Sequence, residues 1–191
     1  MIEYNDPFRS LSLYPDNITE TAPVWVEEDG VKCLKFDGKG TFMFFPRAVL
    51  PNGAFFMSFE IKPLSGKKQY LIASHCNSPG ALDVWIENGR IYGRYTAKAS
   101  ASDSDVFFKR FQLDPQLSLP TGKWSKVKID FDLEKVNFSV NGKDGVPCNS
   151  PGVSFSSQLL VFGGFGKKGE EFFEGFLKAF RVEHAPGKKS F

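Results

Sequence analysis

Apolar and polar residues alternate along most of the chain from residue 31 onward, and such alternation predicts half-buried β-strands. The clearest example is the segment KWSKVKIDFDLEKVNFSVNGK. In its first half Val127, Ile129 and Phe131 alternate with lysines and aspartates, and its second half repeats the pattern. Two such runs joined by the four residues DLEK predict an antiparallel hairpin with one face buried and the other in water.

Turn residues separate the other apolar runs into short strands. Strands are predicted in VKCLKFD, on both sides of the turn DGKG, in AFFMSFEIKP, near DVFFKRFQL, in LLVFGGF and in FFEGFLKAFRVEH. No segment of the sequence sustains a helical period. We therefore predict an all-β fold, an antiparallel two-sheet β-sandwich. A single domain is expected over residues 1–191, with an extended lead-in at 1–25 along a sheet edge, the sandwich at 26–185 and a tail at 186–191.

Composition supports a sheet protein and argues against two classes of partner. The chain has 191 residues, the length of about one domain, and 21 of them are phenylalanine, a residue that suits pleated, half-buried surfaces. The formal charge of +2 comes without a large block of lysine and arginine, so no nucleic-acid partner is expected. No apolar run is long enough to span a membrane, and the start MIEYNDPFRS is not typical of a signal peptide.

The three cysteines, Cys33, Cys76 and Cys148, allow one disulfide at most. The sequence CNSPG begins at both Cys76 and Cys148, but the flanking residues differ, which argues against an internal repeat. Pro followed by Gly after Asn and Ser is turn chemistry, so we interpret the two copies as turns with free or weakly reactive thiols, and a disulfide between them remains an alternative. Without a C-x-x-C motif, and with two histidines, zinc is not expected. His75 beside Cys76 is interpreted as a loop residue, since neighbouring side chains at a strand end point apart.

Six segments, in this order, resemble laminin-G-like domains of the concanavalin A-like lectin/glucanase superfamily. They are LKFDGKGTFMFF, FFMSFEIKP, LDVWIENGRIYGRY, GKWSKVKIDFD, NFSVNGK and FFEGFLKAFRVEH. The resemblance implies a jelly roll of two curved antiparallel sheets, with a concave face that often binds or cuts glycans.

The closing strand departs from the family pattern. Lys178 and Ala179 stand where many relatives have Asp-Glu, and the E-x-D-x-E strand of the catalytic glucanases is missing from the sequence. That spacing places two carboxylates on one face to flank a glycosidic bond. The sequence therefore does not predict a retaining hydrolase, and we assign no catalytic residues.

The hairpin LDVWIENGRIYGRY contains the candidate binding site. Asn88-Gly89 is the preferred dipeptide of a type I′ turn, and this turn sets the register of the two strands. Opposite residues share a face. One face is expected in the core and contains Leu82, Val84, Ile86, Ile91, Gly93 and Tyr95. The other face contains the candidate site residues Asp83, Trp85, Glu87, Arg90, Tyr92 and Arg94.

Two interpretations of this outer face remain open. In the first, Trp85 and Tyr92 stack on a sugar while carboxylates and guanidinium groups bind its hydroxyls, uronate or sulfate. In the second, Trp85 and Tyr92 form a stabilising cross-strand pair that a loop such as residues 96–122 covers. Lys109, Arg110 and Gln112 are further candidates, whose face the sequence does not assign.

The other two tryptophans and a metal site complete the list of candidates. Trp124 precedes a buried series and is expected in the core, whereas Trp25 could be in the core or in a site. The resemblance implies a structural Ca²⁺ held near Asp37 and Glu174, because hard cations bind carboxylate and carbonyl oxygens. Plain turn and surface acids are the favoured interpretation of these two residues.

We predict a non-catalytic carbohydrate-binding module of a secreted or cell-surface, polysaccharide-related protein, at the level of fold analogy. Its expected partners are a glycan and other domains of a longer chain, and no cofactor is required beyond a structural Ca²⁺. One alternative is a jelly-roll enzyme, either a glycoside hydrolase or a lyase that uses Arg90, Tyr92 and Arg94. The other alternative is a laminin-G-like domain for structure or protein interaction.

Overall fold

A computed structural model shows where the predicted strands lie. It describes residues 2–3, 22–44, 54–74, 81–98, 108–132, 134–149, 160–164 and 171–184. These residues form fifteen β-strands in two antiparallel sheets. Within this part of the chain we find no helix that could span a membrane.

The larger sheet has nine strands. They are β1 (Ile2–Glu3), β2 (Val24–Glu28), β3 (Val31–Asp37), β5 (Phe55–Pro63), β10 (Ser125–Phe131), β11 (Lys135–Val140), β12 (Lys143–Asp144), β13 (Cys148–Asn149) and β15 (Glu174–His184). The order is β12-β11-β10-β5-β15-β3-β2, with β1 paired to β15 and β13 paired to β11. The last long strand, β15, therefore lies inside the sheet rather than at its edge.

The smaller sheet has six strands. They are β4 (Met43–Phe44), β6 (Gln69–Ser74), β7 (Ala81–Glu87), β8 (Arg90–Lys98), β9 (Phe108–Leu113) and β14 (Leu160–Phe162). Their order in the sheet is β4-β14-β6-β7-β8-β9. The predicted all-β, antiparallel two-sheet sandwich is confirmed.

Phenylalanine fills the space between the sheets. The rings of Phe59 and Phe162, from opposite sheets, meet edge to face with centroids 5.5 Å apart, and Phe162 meets Phe173 in the same way at 6.0 Å. Such tilted contacts let large rings fill a core without voids. The high phenylalanine content thus builds the layer between the two sheets.

The alternation in β10 is confirmed. Val127, Ile129 and Phe131 are fully buried, and the lysines and aspartate between them are exposed. Phe131 lies opposite Val136, so DLEK is the connection to β11, as predicted.

One boundary in the first part of the chain needs correction. The sandwich begins earlier than residue 26, because β2 starts at Val24 and β1 adds to β15 through the pair Ile2 and Val182. Most of the predicted lead-in lies outside the described residues. The strands on the two sides of DGKG exist, but they belong to different sheets, so this turn is a crossover between layers.

The second CNSPG copy begins in a strand rather than in a turn. Cys148 lies in β13 opposite Val136, and it is buried and has a free thiol. Cys33 is also buried and free. Burial raises the pKa of both thiols, which lowers their thiolate fraction and their reactivity. Cys76 and His75 lie outside the described residues.

Trp124 lies on the outer side of the larger sheet and not in the core, contrary to the prediction. Its indole N–H donates to Asp29 at 3.1 Å, and the Lys178 ammonium lies 4.4 Å from its ring centroid. Lys62 also binds Asp29, at 2.9 Å, and Glu28. This network ties the β2–β3 turn to β5 across β15, so Trp124 precedes a buried series without joining it.

A β-bulge interrupts β15. The strand pairs with β5 through Lys178 opposite Glu60 and again through Arg181 opposite Ser58, with a shift of register between them. Two residues of β15 therefore face one residue of β5. Ala179, in the bulge, has a φ of 52°. The bulge falls where the sequence departs from the family pattern.

Candidate functional site

The β7–β8 hairpin has the predicted register. Asn88 and Gly89 have φ values of 51° and 68°, as a type I′ turn requires, and Trp85 lies opposite Tyr92. Asp83 lies opposite Arg94. The expected inner face is in the core, and the six candidate residues share the outer face of the six-stranded sheet.

Three aromatic rings form a row across three adjacent strands on this outer face. The Trp85 ring is 6.1 Å from the Tyr92 ring on β8, nearly parallel at 23°, and 5.8 Å from the Tyr70 ring on β6. We call Tyr70, Trp85 and Tyr92 the aromatic row. Together with Ala73 they form an apolar cluster separate from the core. The row exists because β6 and β8 are the two neighbours of β7.

Cations lie over the row. The Lys68 ammonium is 5.4 Å from the Tyr70 centroid and 5.7 Å from the Trp85 centroid, and the Arg90 guanidinium is 5.4 Å from the Tyr92 centroid. Lys68 also binds Glu171 at 2.9 Å. That hydrogen bond raises the pKa of Lys68 despite partial burial, so the ammonium stays protonated at neutral pH. Each ring thus carries a cation at cation–π distance.

The carboxylates of the face hold these cations in place. Arg94 donates through two nitrogens to Asp83, whose side chain is almost fully buried, so these two opposite residues form an ion pair. Glu87 and Arg90 lie opposite each other, as the register predicts, but their side chains have other partners. Arg90 binds Asp114 at 3.2 Å, while Glu87 accepts from the Trp85 indole at 3.4 Å.

Exposure differs along the row. Trp85 and Tyr70 are 8% and 7% exposed, whereas Tyr92 is half-buried and Arg90 is about as accessible. A ligand on this face would therefore contact the ring of Tyr92 and the head group of Arg90, and it would reach Trp85 mainly at an edge. Burial raises the pKa of the Tyr70 phenol, which stays neutral.

Only part of residues 96–122, the segment that one of the two interpretations makes a cover for Trp85 and Tyr92, is described. Its later portion runs beside the β8 end of the hairpin, where the Ile91 N–H donates to Leu117 and the Leu119 N–H donates to Gly89. Leu117 and Leu119 are buried in the core. Residues 99–107 lie outside the described residues.

The second group of candidates is placed only in part. Gln112 lies opposite Arg94 and is exposed, so it extends the outer face onto β9. The backbones of Lys109 and Arg110 pair with β8, and their side chains lie outside the description. Trp25 is 37% exposed on β2, with the Lys32 ammonium 5.0 Å from its ring. It belongs to the nine-stranded sheet, whereas the aromatic row belongs to the six-stranded sheet.

Sequence reasoning missed Lys68, Tyr70, Asp114 and Glu171. The first two are two residues apart, the spacing of one face of a strand, and this was the available signal. Asp114 and Glu171 reach the face from segments that no local pattern relates to the hairpin.

The calcium candidates are neighbours, and one carboxylate oxygen of Asp37 is taken up by hydrogen bonds of the turn that follows it. Asp37 lies opposite Glu174. Its Oδ1 accepts from the backbone N–H groups of Lys39, Gly40 and Thr41. Burial raises the pKa of Asp37, but these hydrogen bonds and one from the Thr41 side chain outweigh burial and hold it below its usual value. Among the described residues no three His, Cys, Asp or Glu side chains group as a metal site would require. Structural calcium stays a prediction.

No protein-family model matches this chain, and no curated protein matches it in sequence. Solved structures do match its architecture. One is domain 4 of AbnA, a GH43 extracellular arabinanase from Geobacillus stearothermophilus, in complex with arabinotriose, with a TM-score of 0.60 and 14% identity over 84% of this chain and 74% of that chain. Another is the endo-beta-1,4-glucuronan lyase of the fungus Trichoderma reesei, with a TM-score of 0.62 and 12% identity over 85% of this chain and 87% of that chain.

Mouse laminin alpha1 chain, domains LG4-5, matches with a TM-score of 0.58 and 13% identity over 83% of this chain and 42% of that chain. The fold is the jelly roll of the concanavalin A-like and laminin-G-like proteins. The resemblance in the sequence is thereby confirmed at the level of fold. At these identities the match carries the architecture and not the activity.

Proposed function

We propose that this jelly roll is a non-catalytic glycan-binding module and that the outer face of its six-stranded sheet is the binding surface. The observation that carries the proposal is the aromatic row, three rings on adjacent strands with cations and carboxylates around them.

The chemistry of the row suits a sugar ring. A pyranose or furanose has an apolar side of C–H groups, which packs on an aromatic face, and hydroxyls at its rim, which need donors and acceptors. Tyr92 offers the accessible ring. Arg90 and Asp114, both about half exposed, offer donors and acceptors beside that ring.

The rigid part of the site lies beneath the accessible part. Trp85 and Tyr70 are buried, and the Asp83–Arg94 pair fixes the strand positions behind Tyr92. A binding surface whose rings are already held in place loses little side-chain entropy when a ligand binds. We therefore assign contact to Tyr92 and Arg90, and support to Trp85, Asp83 and Arg94.

The matched proteins support a polysaccharide setting. The AbnA domain is described in complex with arabinotriose and belongs to an extracellular arabinanase, and the lyase is named for glucuronan. By analogy we propose that this module works outside the cell or at its surface and is one domain of a polysaccharide-related protein.

A screen of neutral and acidic glycans on an array tests the proposal. Wild type is expected to bind at least one glycan, Tyr92→Ala to lose at least about tenfold in affinity, or ~1.4 kcal/mol, and Trp25→Ala to bind as wild type. Trp25 is the matched control because it is an exposed aromatic residue beneath a lysine on the other sheet. Absence of binding across the panel would contradict the proposal and favour a protein-interaction domain.

Two further arms of the screen address the alternatives. Addition of EDTA tests whether calcium takes part, and equal binding with and without EDTA would remove the calcium prediction. Incubation with uronate polymers, followed by ultraviolet absorbance, tests for the unsaturated products of a lyase. Product formation that Tyr92→Phe abolishes would replace the non-catalytic proposal by the lyase alternative.

A further inference from the structure

Two rows of charged side chains cross the outer face of the nine-stranded sheet, on the other side of the sandwich from the aromatic row. In the first row Glu60 of β5 lies between Lys126 of β10 and Lys178 of β15. In the second row Ser58 of β5 lies between Lys128 and Arg181. Opposite residues share a face, and neighbouring strands are about 4.8 Å apart, so these side chains are close.

The serine leaves a recess in this face, since it is the smallest side chain of the two rows. A cavity of 230 Å³ opens there. Its lining comprises Ser58, Phe59, Glu60, Lys126, Ala179, Phe180 and Arg181. The recess thus has two cations in its walls and an 8%-exposed serine at its base.

The β15 bulge shapes one wall of the recess. Ala179, at φ 52°, shifts the register so that Arg181 lies opposite Ser58 while Lys178 lies opposite Glu60. Bulges of this kind re-aim side chains beside binding sites. Without the extra residue, the side chains beyond residue 179 would swap faces.

The charges of the recess favour an anion. Glu60 is the acidic residue in the lining of the recess, and Lys178 binds its carboxylate at 3.3 Å. Lys126 forms no ion pair with any residue that the structure describes. Arg181 is 3.9 Å from Glu183, lies opposite Glu3 of β1 and takes part in further interactions. Its guanidinium has five N–H donors, so it can bind an oxyanion in addition to these partners.

We propose that this recess binds an oxyanion group, a sulfate or a carboxylate, through Lys126 and Arg181, with the Ser58 hydroxyl donating a third hydrogen bond. The group is either a free inorganic anion or a substituent of a polymer, and both present the same oxygens. The site is independent of the glycan-binding surface proposed above, because it lies on the other sheet.

Equilibrium dialysis with radiolabelled inorganic sulfate, at constant ionic strength, tests the recess. Wild type is expected to bind sulfate saturably, and Lys126→Gln and Arg181→Gln to weaken binding by about tenfold each, or ~1.4 kcal/mol. Lys143→Gln is the matched control, because it removes one positive charge from an exposed residue of β12, away from the recess. Ser58→Ala, which keeps all charges, is expected to weaken binding by a smaller factor.

Non-saturable binding, or an equal loss in all three charge variants, would show general electrostatics and overturn the proposal. Sulfated dextran, with unsulfated dextran as its control, distinguishes the two sources. If inorganic sulfate displaces sulfated dextran, the sulfates of the polymer bind in the recess. If sulfated dextran stays bound at saturating inorganic sulfate, the polymer binds elsewhere and the recess holds free anions. Tyr92→Ala, the variant of the glycan screen, is expected to leave sulfate binding unchanged, which separates this result from the outcome of that screen.

Discussion

Gly175 occupies a position in β15 where the surrounding backbone leaves no space for a side chain. It lies between Phe36 of β3 and Pro63 of β5 in the middle of the larger sheet. A Cβ at this position would overlap the carbonyl oxygen of Lys62 and lie 2.7 Å from the Phe173 ring. Its φ of +156° is also one that L side chains rarely adopt.

The substitution Gly175→Ala therefore combines two costs. A residue forced into such a backbone region costs about 1–3 kcal/mol, and insertion of a methyl group into a packed site costs about 1–3 kcal/mol more. The sum, about 2–6 kcal/mol, is large against the ~5–15 kcal/mol of a typical domain. With a urea m-value of about 2 kcal/mol/M, the midpoint is expected to fall by about 1–3 M.

Gly122→Ala is the matched control for the backbone cost. Gly122 has a φ of +74°, and a Cβ there would have no atom within 4 Å, so its replacement is expected to cost about 1–2 kcal/mol. Both variants and wild type are unfolded in urea and followed by circular dichroism. If Gly175→Ala loses no more stability than Gly122→Ala, the three strands do not approach one another as closely at Gly175 as the structure places them.

Three further changes test other parts of the structure. Ala179 has a positive φ, and Ala179→Gly removes the steric cost of that conformation, about 1–2 kcal/mol. Glycine adds an entropy cost of about 0.5–1 kcal/mol, so calorimetry is expected to show a Tm higher by ~1–3 °C. A lower Tm would contradict the bulge geometry. Ser125→Ala removes a buried hydroxyl that has no partner among the described residues, and urea unfolding is expected to show no loss of stability, whereas a clear loss would reveal a bound partner. The hydrogen bond from Lys62 lowers the pKa of Asp29, so the stability that Asp29 adds is present above its unfolded pKa and is lost as the pH falls through the lower folded value. Urea midpoints are measured from neutral to strongly acid pH, and the acid-induced loss of stability is expected to be smaller for Asp29→Asn than for wild type. Identical pH profiles would show that the contact of Asp29 with Lys62 does not stabilise the fold.

Local patterns predicted the hairpins because the interactions that set them are local. Asn88-Gly89 fixes the register of β7 and β8 through its two positive φ values, and alternation fixes which side of β10 is buried. The core faces of these strands were predicted correctly for this reason.

The rest of the site depends on strand order, which no local pattern encodes. Tyr70 contacts Trp85 because β6 is the second neighbour of β7 in the sheet. Arg90 forms its ion pair with Asp114 rather than with Glu87 because the chain after β9 returns to the hairpin. Trp124 was misplaced for a related reason. Alternation describes a residue inside a strand, and Trp124 precedes the strand, where Asp29 and Lys178 hold it on the outer face.

If the outer face of the six-stranded sheet binds a glycan, a titration of Tyr92→Ala beside Trp25→Ala will show it. The glycan that wild type selects on the array is titrated by calorimetry into the three proteins, each first shown to be folded by circular dichroism. We expect a Kd at least tenfold weaker, or ~1.4 kcal/mol, for Tyr92→Ala and an unchanged Kd for Trp25→Ala. Equal affinity of wild type and Tyr92→Ala, or a loss confined to Trp25→Ala, would place the glycan on another surface and rule out the aromatic row as its site.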